Sequence, residues 1–367
     1  MYLASLSISD FRNIAEATIA PDPTGTTVIT GRNGAGKTSL LEAIGYLATL
    51  QSFRGSAKEA MVRLGTDRAI LRAVTMVEDR SMDIEAELAA TGRSRTMVNR
   101  QTVRRRTDLG EALRVTVFSP EDIAVVRGGP AERRSFLDET LAVVAPKASQ
   151  HAEDTEKVLR QRAALLRRAG GRLSPEVEAT LDVWDARLDT SGTALVEARE
   201  TLTQQLSPLA EQNYSRLAGL DVKVGLHYRR SWTGSLRDAL LASRADDLVR
   251  GITRVGPHRD ELELTVSGLV GRTHTSQGEQ RSLALAVRLA THQLATDRLG
   301  SAPVLLLDDV FSELDPYRTR ALLEGLPPGQ SILTTALPPP PEVAAAATYE
   351  VRPAGTVGAV SAAKEEG

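Results

Sequence analysis

No cysteine occurs anywhere in the 367 residues, which excludes disulfides and any zinc site built on thiolates. Aromatic residues make up only 4% of the chain. No uninterrupted apolar run approaches the ~20 residues that a membrane-spanning helix needs. The opening MYLASLSISDFRN lacks a basic segment followed by an apolar stretch, so no signal peptide is read there and the chain is expected to be cytoplasmic. A strong charge of either sign is also missing: the net charge is −2, which provides no global attraction to nucleic acid. Lysine is scarce, with six among the 45 basic residues. Arginine abundance alone therefore says little, and only clusters of arginine bear on phosphate binding. What remains, 41% hydrophobic and 25% charged, is the composition of a globular chain with room for one large domain or two ordinary ones.

The most informative stretch is Gly31-Arg32-Asn33-Gly34-Ala35-Gly36-Lys37-Thr38-Ser39, which fits G-x-x-x-x-G-K-[ST]. Thr26 to Thr30 before it reads as a β-branched strand, and Lys37 to Leu50 after it as an amphipathic helix. Glycines there let backbone N–H groups and a helix N-terminus cradle phosphate oxygens. Lys37 is expected on the β- and γ-phosphates and the Thr38 hydroxyl on Mg²⁺. The reading is a nucleoside-triphosphate site with ATP and Mg²⁺ as cofactors; its competitor is a glycine-rich strand–helix turn with no ligand.

Elsewhere, Tyr2 to Ser9 alternates Leu3, Ser5 and Ser7 against Ala4, Leu6 and Ile8, as a half-buried strand does, and Ile14 to Ala20 returns. Ala69 to Val77 and Ser81 to Leu88 form a hairpin. Arg93, Arg95 and Arg100 lead to Arg104, Arg105 and Arg106 with no acid among them, which is either a solvated run or an edge facing a phosphate backbone. Residues 147–169 and 174–217 read as two long helices, whose basic residues fit a solvent-facing surface better than a DNA contact. Pro303 to Leu307 is an apolar strand ending in Asp308-Asp309, where a parallel α/β sheet places ligands. Asp308 is expected to hold Mg²⁺ and Asp309 to orient or deprotonate the attacking water. Ser331 to Thr335 reads as a last buried strand, and the tail from residue 353 to 367 as disordered.

In order along the chain, LSISDFRNI, GRNGAGKTSLLEAI, FSPEDIAVVRGGPAERRSFLDE, VGPHRDEL, TSQGEQRSLALAVRLA and LLLDDVFSELD resemble the motifs of the RecF family, bacterial recombination mediators related to SMC heads. The resemblance covers nearly all of the chain. It implies an α/β fold, an ABC-type P-loop ATPase head of mixed parallel and antiparallel sheets with helices, and a helical lobe II inserted between the Walker A half and the signature and Walker B half. The implied boundaries are 1–129 and 221–352 for lobe I and 130–220 for lobe II. Ser276, Gln277, Gly278, Glu279 and Gln280 become the signature that contacts the γ-phosphate held by a second subunit. Ser312 and Asp315 become the D-loop, and Arg12 and Asn13 a turn near the nucleotide. No glutamine stands where SMC proteins carry their metal-sensing loop, which leaves Gln51 or Glu121 as substitutes. The resemblance further implies an ATP-dependent homodimer that binds duplex and gapped DNA and helps RecO and RecR load RecA. Arg104, Arg105 and Arg106 are the expected DNA contacts.

Two departures from the wider superfamily bear on rate. The catalytic carboxylate is Asp309 where transporters carry glutamate, and no switch histidine follows Ser331 to Thr335. Both raise the barrier, at tenfold in rate per ~1.4 kcal/mol, so slow hydrolysis is expected. They also argue against a transporter ATPase, and the helical insert is too short for an SMC or double-strand-break repair coiled coil. An ATP-gated structural clamp without hydrolysis-dependent function remains the alternative.

Overall fold

The computed structural model describes residues 1–103, 106–326, 328–352 and 355–360. The strands are β1 (Tyr2–Phe11), β2 (Ile14–Ile19), β3 (Thr26–Thr30), β4 (Arg68–Val77), β5 (Arg80–Ala89), β6 (Arg95–Val98), β7 (Gln101–Thr102), β8 (Val115–Phe118), β9 (Val224–Arg229), β10 (Glu261–Val266), β11 (Leu269–Val270), β12 (Val304–Asp308), β13 (Ser331–Thr335), β14 (Ala345–Val351) and β15 (Val357–Ala359). The α-helices are α1 (Lys37–Thr49), α2 (Ala124–Arg127), α3 (Pro130–Val144), α4 (Pro146–Ala169), α5 (Pro175–Ala218), α6 (Leu236–Arg250), α7 (Gly271–His274), α8 (Gln277–Leu299) and α9 (Pro316–Gly325). Among the described residues no helix is long and apolar enough to cross a membrane.

The chain divides into two compact units. The first comprises Met1–Asp122, Arg216–Leu220 and Arg288–Gly367. Within its described residues, one sheet runs β2-β1-β4-β5-β6-β7 and is antiparallel throughout. A second runs β15-β14-β3-β13-β12-β8, parallel apart from β15. Helix α1 buries Leu40, Leu41, Ile44 and Leu47 in a core shared with Leu6, Ile8 and Leu71 of the first sheet and Leu306 and Ile332 of the second. Strands β12 and β13 are buried along their whole length; β12 reads accordingly as an apolar run from Val304 to Leu307, whereas β13 sets Ile332 and Leu333 between hydroxyl residues.

Simple alternation misassigns Leu3 to the face opposite Leu6 and Ile8. All three are buried, because the β1–β4 register shifts between Leu3 and Ser5. The extra residue turns Leu3 onto the core face. Ser331–Thr335 is not the last strand either. Ala345–Val351 lies parallel to β3, although its alanines carry little strand propensity. Val357–Ala359, inside the stretch read as a disordered tail, pairs antiparallel with it, so backbone pairing to an existing edge orders a segment of weak local preference.

The second unit comprises Ile123–Ser215 and Asp221–Val287. Residues 221–287, assigned above to lobe I, thus cluster with the helices of 130–215. The reason is lateral: β9 and β10 pair with each other, and Arg133 of α3 donates to both carboxylate oxygens of Glu261 on β10 at 2.6 and 2.8 Å. In the same unit Leu166, Leu181 and Leu248 of α4, α5 and α6 form a small apolar cluster. Beside it Arg162, fully buried, donates to Asp185 and Asp247 at 2.7 Å each. A buried guanidinium is tolerated only with such pairing.

Candidate nucleotide site

The phosphate loop follows β3 as expected. Gly31, Gly34 and Gly36 adopt φ of 150°, 77° and 119°, a region that side chains rarely enter. At Gly31 a Cβ would also meet the carbonyl oxygen of Val351 at 2.5 Å, so the end of β14 requires glycine there too. Helix α1 starts with no side-chain cap and no acid in its first turn. By contrast α9 begins on Asp315, whose carboxylate accepts from the Arg318 N–H at 2.8 Å. An uncapped N-terminus behind a glycine loop leaves N–H donors for an anion. Lys37 Nζ donates to the carbonyls of Gly31 and Arg32 at 2.8 and 3.2 Å, and so lies over the mouth of the loop. Burial lowers its pKa, and the charges of Asp309 and Asp308 pull it back up. Arg32, Asn33 and Gly34 are exposed on the loop, whereas Ala35 and Ser39 are buried.

Asp308 ends β12, flanked by β13 in register with Thr334. Its Oδ1 accepts from Thr38 Oγ1 at 2.9 Å and from Thr334 Oγ1 at 2.7 Å. Burial raises its pKa; the two hydroxyls oppose this, and Glu121 and Asp309 add to the rise. A largely dry carboxylate in contact with a threonine hydroxyl is the hard-oxygen donor set that Mg²⁺ takes beside phosphates and water. Thr38 and Asp308 would hold the ion, which would neutralise charge on the phosphate oxygens. Asp309 stands at φ 48°, its N–H directed to the Thr334 carbonyl and hydroxyl at 3.2 and 3.1 Å. Ser312 Oγ donates to the Asp309 carbonyl at 2.8 Å, closing the turn that sets the aspartate at the mouth of the sheet. Thr334 is the residue that reading the sequence passed over. The available signal was the hydroxyl pair Thr334-Thr335 that follows Ile332-Leu333 at the end of a buried strand.

Asn13 is exposed and supports the loop itself, donating to the carbonyls of Gly34 and Ala35 at 3.1 and 2.9 Å and accepting from Ser39 at 3.0 Å. Arg12, expected near nucleotide, spans both oxygens of the fully buried Glu42 at 2.8 and 2.6 Å and donates to the carbonyl of Ala60. A buried glutamate needs a cation, and Arg12 supplies it. Of the two substitutes for the missing glutamine, Glu121 is the one whose charge bears on Asp308, whereas Gln51 is exposed at the end of α1.

The signature lies in the second unit, at the start of α8. Ser276 Oγ accepts from the Glu279 N–H at 3.3 Å while the Glu279 carboxylate accepts from the Ser276 N–H at 2.7 Å, a reciprocal capping box. Ser276 and Gln277 are exposed and Gly278 is half-buried, but Gln280 is turned inward and buried. Arg104 and Arg105 lie outside the described residues; Arg106 begins a short 3₁₀ helix, Arg106–Glu111.

A glycine loop, its helix and an acidic strand brought together by Thr38 and Asp308, with a serine-capped signature helix in the second unit, define an ABC-type ATPase head of the SMC class. Residues 2–334 match the family described as RecF/RecN/SMC N terminal domain. The DNA replication and repair protein RecF of Frankia alni is 42% identical over 356 residues, 92% of this chain and 93% of that protein. That of Streptomyces avermitilis is 42% identical over 352 residues, with the same coverage of each. The solved structure of the recombination mediator protein RecF with ATP, from the RecFOR pathway, matches with a TM-score of 0.89 at 26% identity, covering 98% of this chain and 97% of that one. An Smc head domain derived from Pyrococcus furiosus, 16% identical with a TM-score of 0.57, shares the fold. The chain belongs to the RecF family.

Proposed function

We propose that this chain is an ATP-dependent DNA-binding protein of recombinational repair and replication, which dimerises on ATP and is released by slow hydrolysis. The observation that carries the reading is the Asp308 carboxylate held between Thr38 of the phosphate-loop helix and Thr334 of β13. It joins the phosphate loop and the acidic strand in one site. The relatives named as DNA replication and repair proteins, and the ATP-bound RecF of the RecFOR pathway, support the biological role. On this reading Lys37 and the loop N–H groups bind the phosphates, Asp309 handles the proton of the attacking water, and Ser276 to Gly278 meet the nucleotide of a second copy. Slow turnover follows from the short Asp309 and from a threonine-rich strand end, Thr334-Thr335, in place of a histidine. The DNA bound is duplex carrying a gap or junction, with Arg104, Arg105 and Arg106 on its backbone, and the protein partners are RecO and RecR, acting toward RecA.

Sedimentation velocity tests the reading, first without nucleotide, then with Mg–ATP, then with gapped duplex added. The expected result is a monomer that becomes a dimer only with ATP, with Ser276→Arg abolishing the change. A chain that stays monomeric with ATP and DNA both present would overturn it.

A further inference from the structure

Apart from Glu121, whose charge bears on Asp308, the sequence motifs FSPEDIAVVRGGPAERRSFLDE and VGPHRDEL take no part in the nucleotide site described above. In the second unit they hold one another. Besides the Arg133–Glu261 pair, Arg134 Nη1 donates to the Asp260 carbonyl at 2.8 Å, and Arg133 Nη1 donates to the carbonyl of Gly128 at 2.8 Å. Gly128 ends α2, its N–H returning to the Ala124 carbonyl at 2.7 Å; a Cβ there would meet that carbonyl oxygen at 2.4 Å. The last residue of α2 is thereby fixed in direction. It is Arg127, whose Nε donates to Gln280 Oε1 at 2.5 Å.

The other end of Gln280 is spent on α7 and the short connection from it to the signature. Its Nε2 donates to the carbonyls of Arg272 at 3.1 Å, Thr275 at 3.2 Å and Gly271 at 3.5 Å. Its own N–H reaches the Ser276 carbonyl at 2.9 Å. One buried amide thus sets the path of residues 271–276 and the exit direction of the exposed Ser276. An amide group has two donor hydrogens and one carbonyl oxygen, and it can flip. The carbonyls, which only accept, require Nε2 toward them, and Arg127, whose guanidinium only donates, holds Oε1 from the other side and locks the same orientation.

We propose that Arg127 is a positioning residue for the signature: through Gln280 it holds the 271–276 segment so that Ser276 to Gly278 are presented for a second copy of the chain. The proposal rests on the ATP-dependent dimer put forward above. In a two-fold dimer the same contact is made twice, so a misplaced segment weakens assembly at both sites.

Arg127→Ala and Arg127→Lys test this, read by nucleotide binding to the monomer, by the dimerisation constant in Mg–ATP, and by amide hydrogen exchange. For Arg127→Ala, ATP affinity of the monomer should stay within about twofold while the dimer dissociation constant rises at least about tenfold. Exchange should quicken across residues 271–276 and remain unchanged across 283–295 of α8. Lysine retains one charged donor and should recover part of the dimerisation. Dimerisation at the normal constant with unaltered exchange at 271–276 would overturn the proposal, as would faster exchange spread over the whole unit. If the unaltered protein does not dimerise in Mg–ATP, the functional reading above fails, and exchange at 271–276 by itself decides the role of Arg127.

Discussion

Thr38 and Asp308, 270 residues apart in sequence, meet at 2.9 Å. One comes from the first turn of the helix behind the glycine loop, the other from the end of a strand buried along its length. Their contact brings a helix N-terminus and Lys37 close to the carboxylates of Asp308 and Asp309, which is why changes there should separate binding from turnover.

Thr334 links the two acids, since its hydroxyl donates to Asp308 and accepts from the Asp309 N–H. Thr334→Val keeps the shape and removes the hydroxyl. A hydrogen bond to a charged group contributes about 1.5–3 kcal/mol, so kcat for ATP should fall at least about tenfold. Because Lys37 and the loop are untouched, ATP affinity should change little. Steady-state ATPase assays beside equilibrium ATP binding check the split.

Asp308→Asn should stabilise the fold while abolishing hydrolysis. Burial raises the Asp308 pKa above its ordinary 3.8, so the folded state disfavours the carboxylate. The folded chain therefore binds the proton more readily than the unfolded chain. Stability from this group is lost as pH rises from 3.8 through the raised value, and the penalty persists at neutral pH. An amide oxygen still accepts from Thr38 and Thr334 without the charge. The expected result is a higher Tm at pH 7, narrowing on acidification; a lower Tm would count against it.

His292 on α8 is buried, its Nδ1 has no hydrogen-bond partner among the described residues, and burial lowers its pKa from 6.5 to about 4. Here the unfolded chain takes up the proton first, so stability is lost as pH falls from 6.5 toward 4. The loss between pH 7 and 5 is about 2 kcal/mol by linkage. His292→Leu should remove that portion of the acid sensitivity, measured as the difference between urea unfolding free energies at pH 7 and pH 5.

Replacing Arg104, Arg105 and Arg106 with alanine should flatten the salt dependence of DNA binding by roughly one slope unit per lost phosphate contact. Titrating gapped duplex over a range of salt concentrations measures this. An unaltered slope would remove the cluster from the DNA-binding surface.

Much of the nucleotide site could be read from the sequence because its parts are local. Gly31 to Ser39 is one continuous segment whose φ angles and helix start depend on neighbours a few residues away. Asp308 and Asp309 are marked by the apolar run before them, since a strand buried on both faces excludes polar residues until it ends. The capping box of Ser276 and Glu279 is likewise a three-residue spacing. What tertiary structure decided depends on partners distant in sequence. Arg12 turns to Glu42, Gln280 turns inward to Arg127, and Thr334 is recruited by the strand beside it. Residues 221–287 join the helical unit through β9, β10 and the Arg133–Glu261 pair, which no boundary signal in the chain announces. Strand β14 forms because β3 offers an unpaired edge, not because Ala345–Val351 strongly prefers to extend. Backbone torsions and helix caps are short-range properties written in consecutive residues; the satisfaction of buried charges, amides and strand edges is settled only when distant segments compete for the same partners.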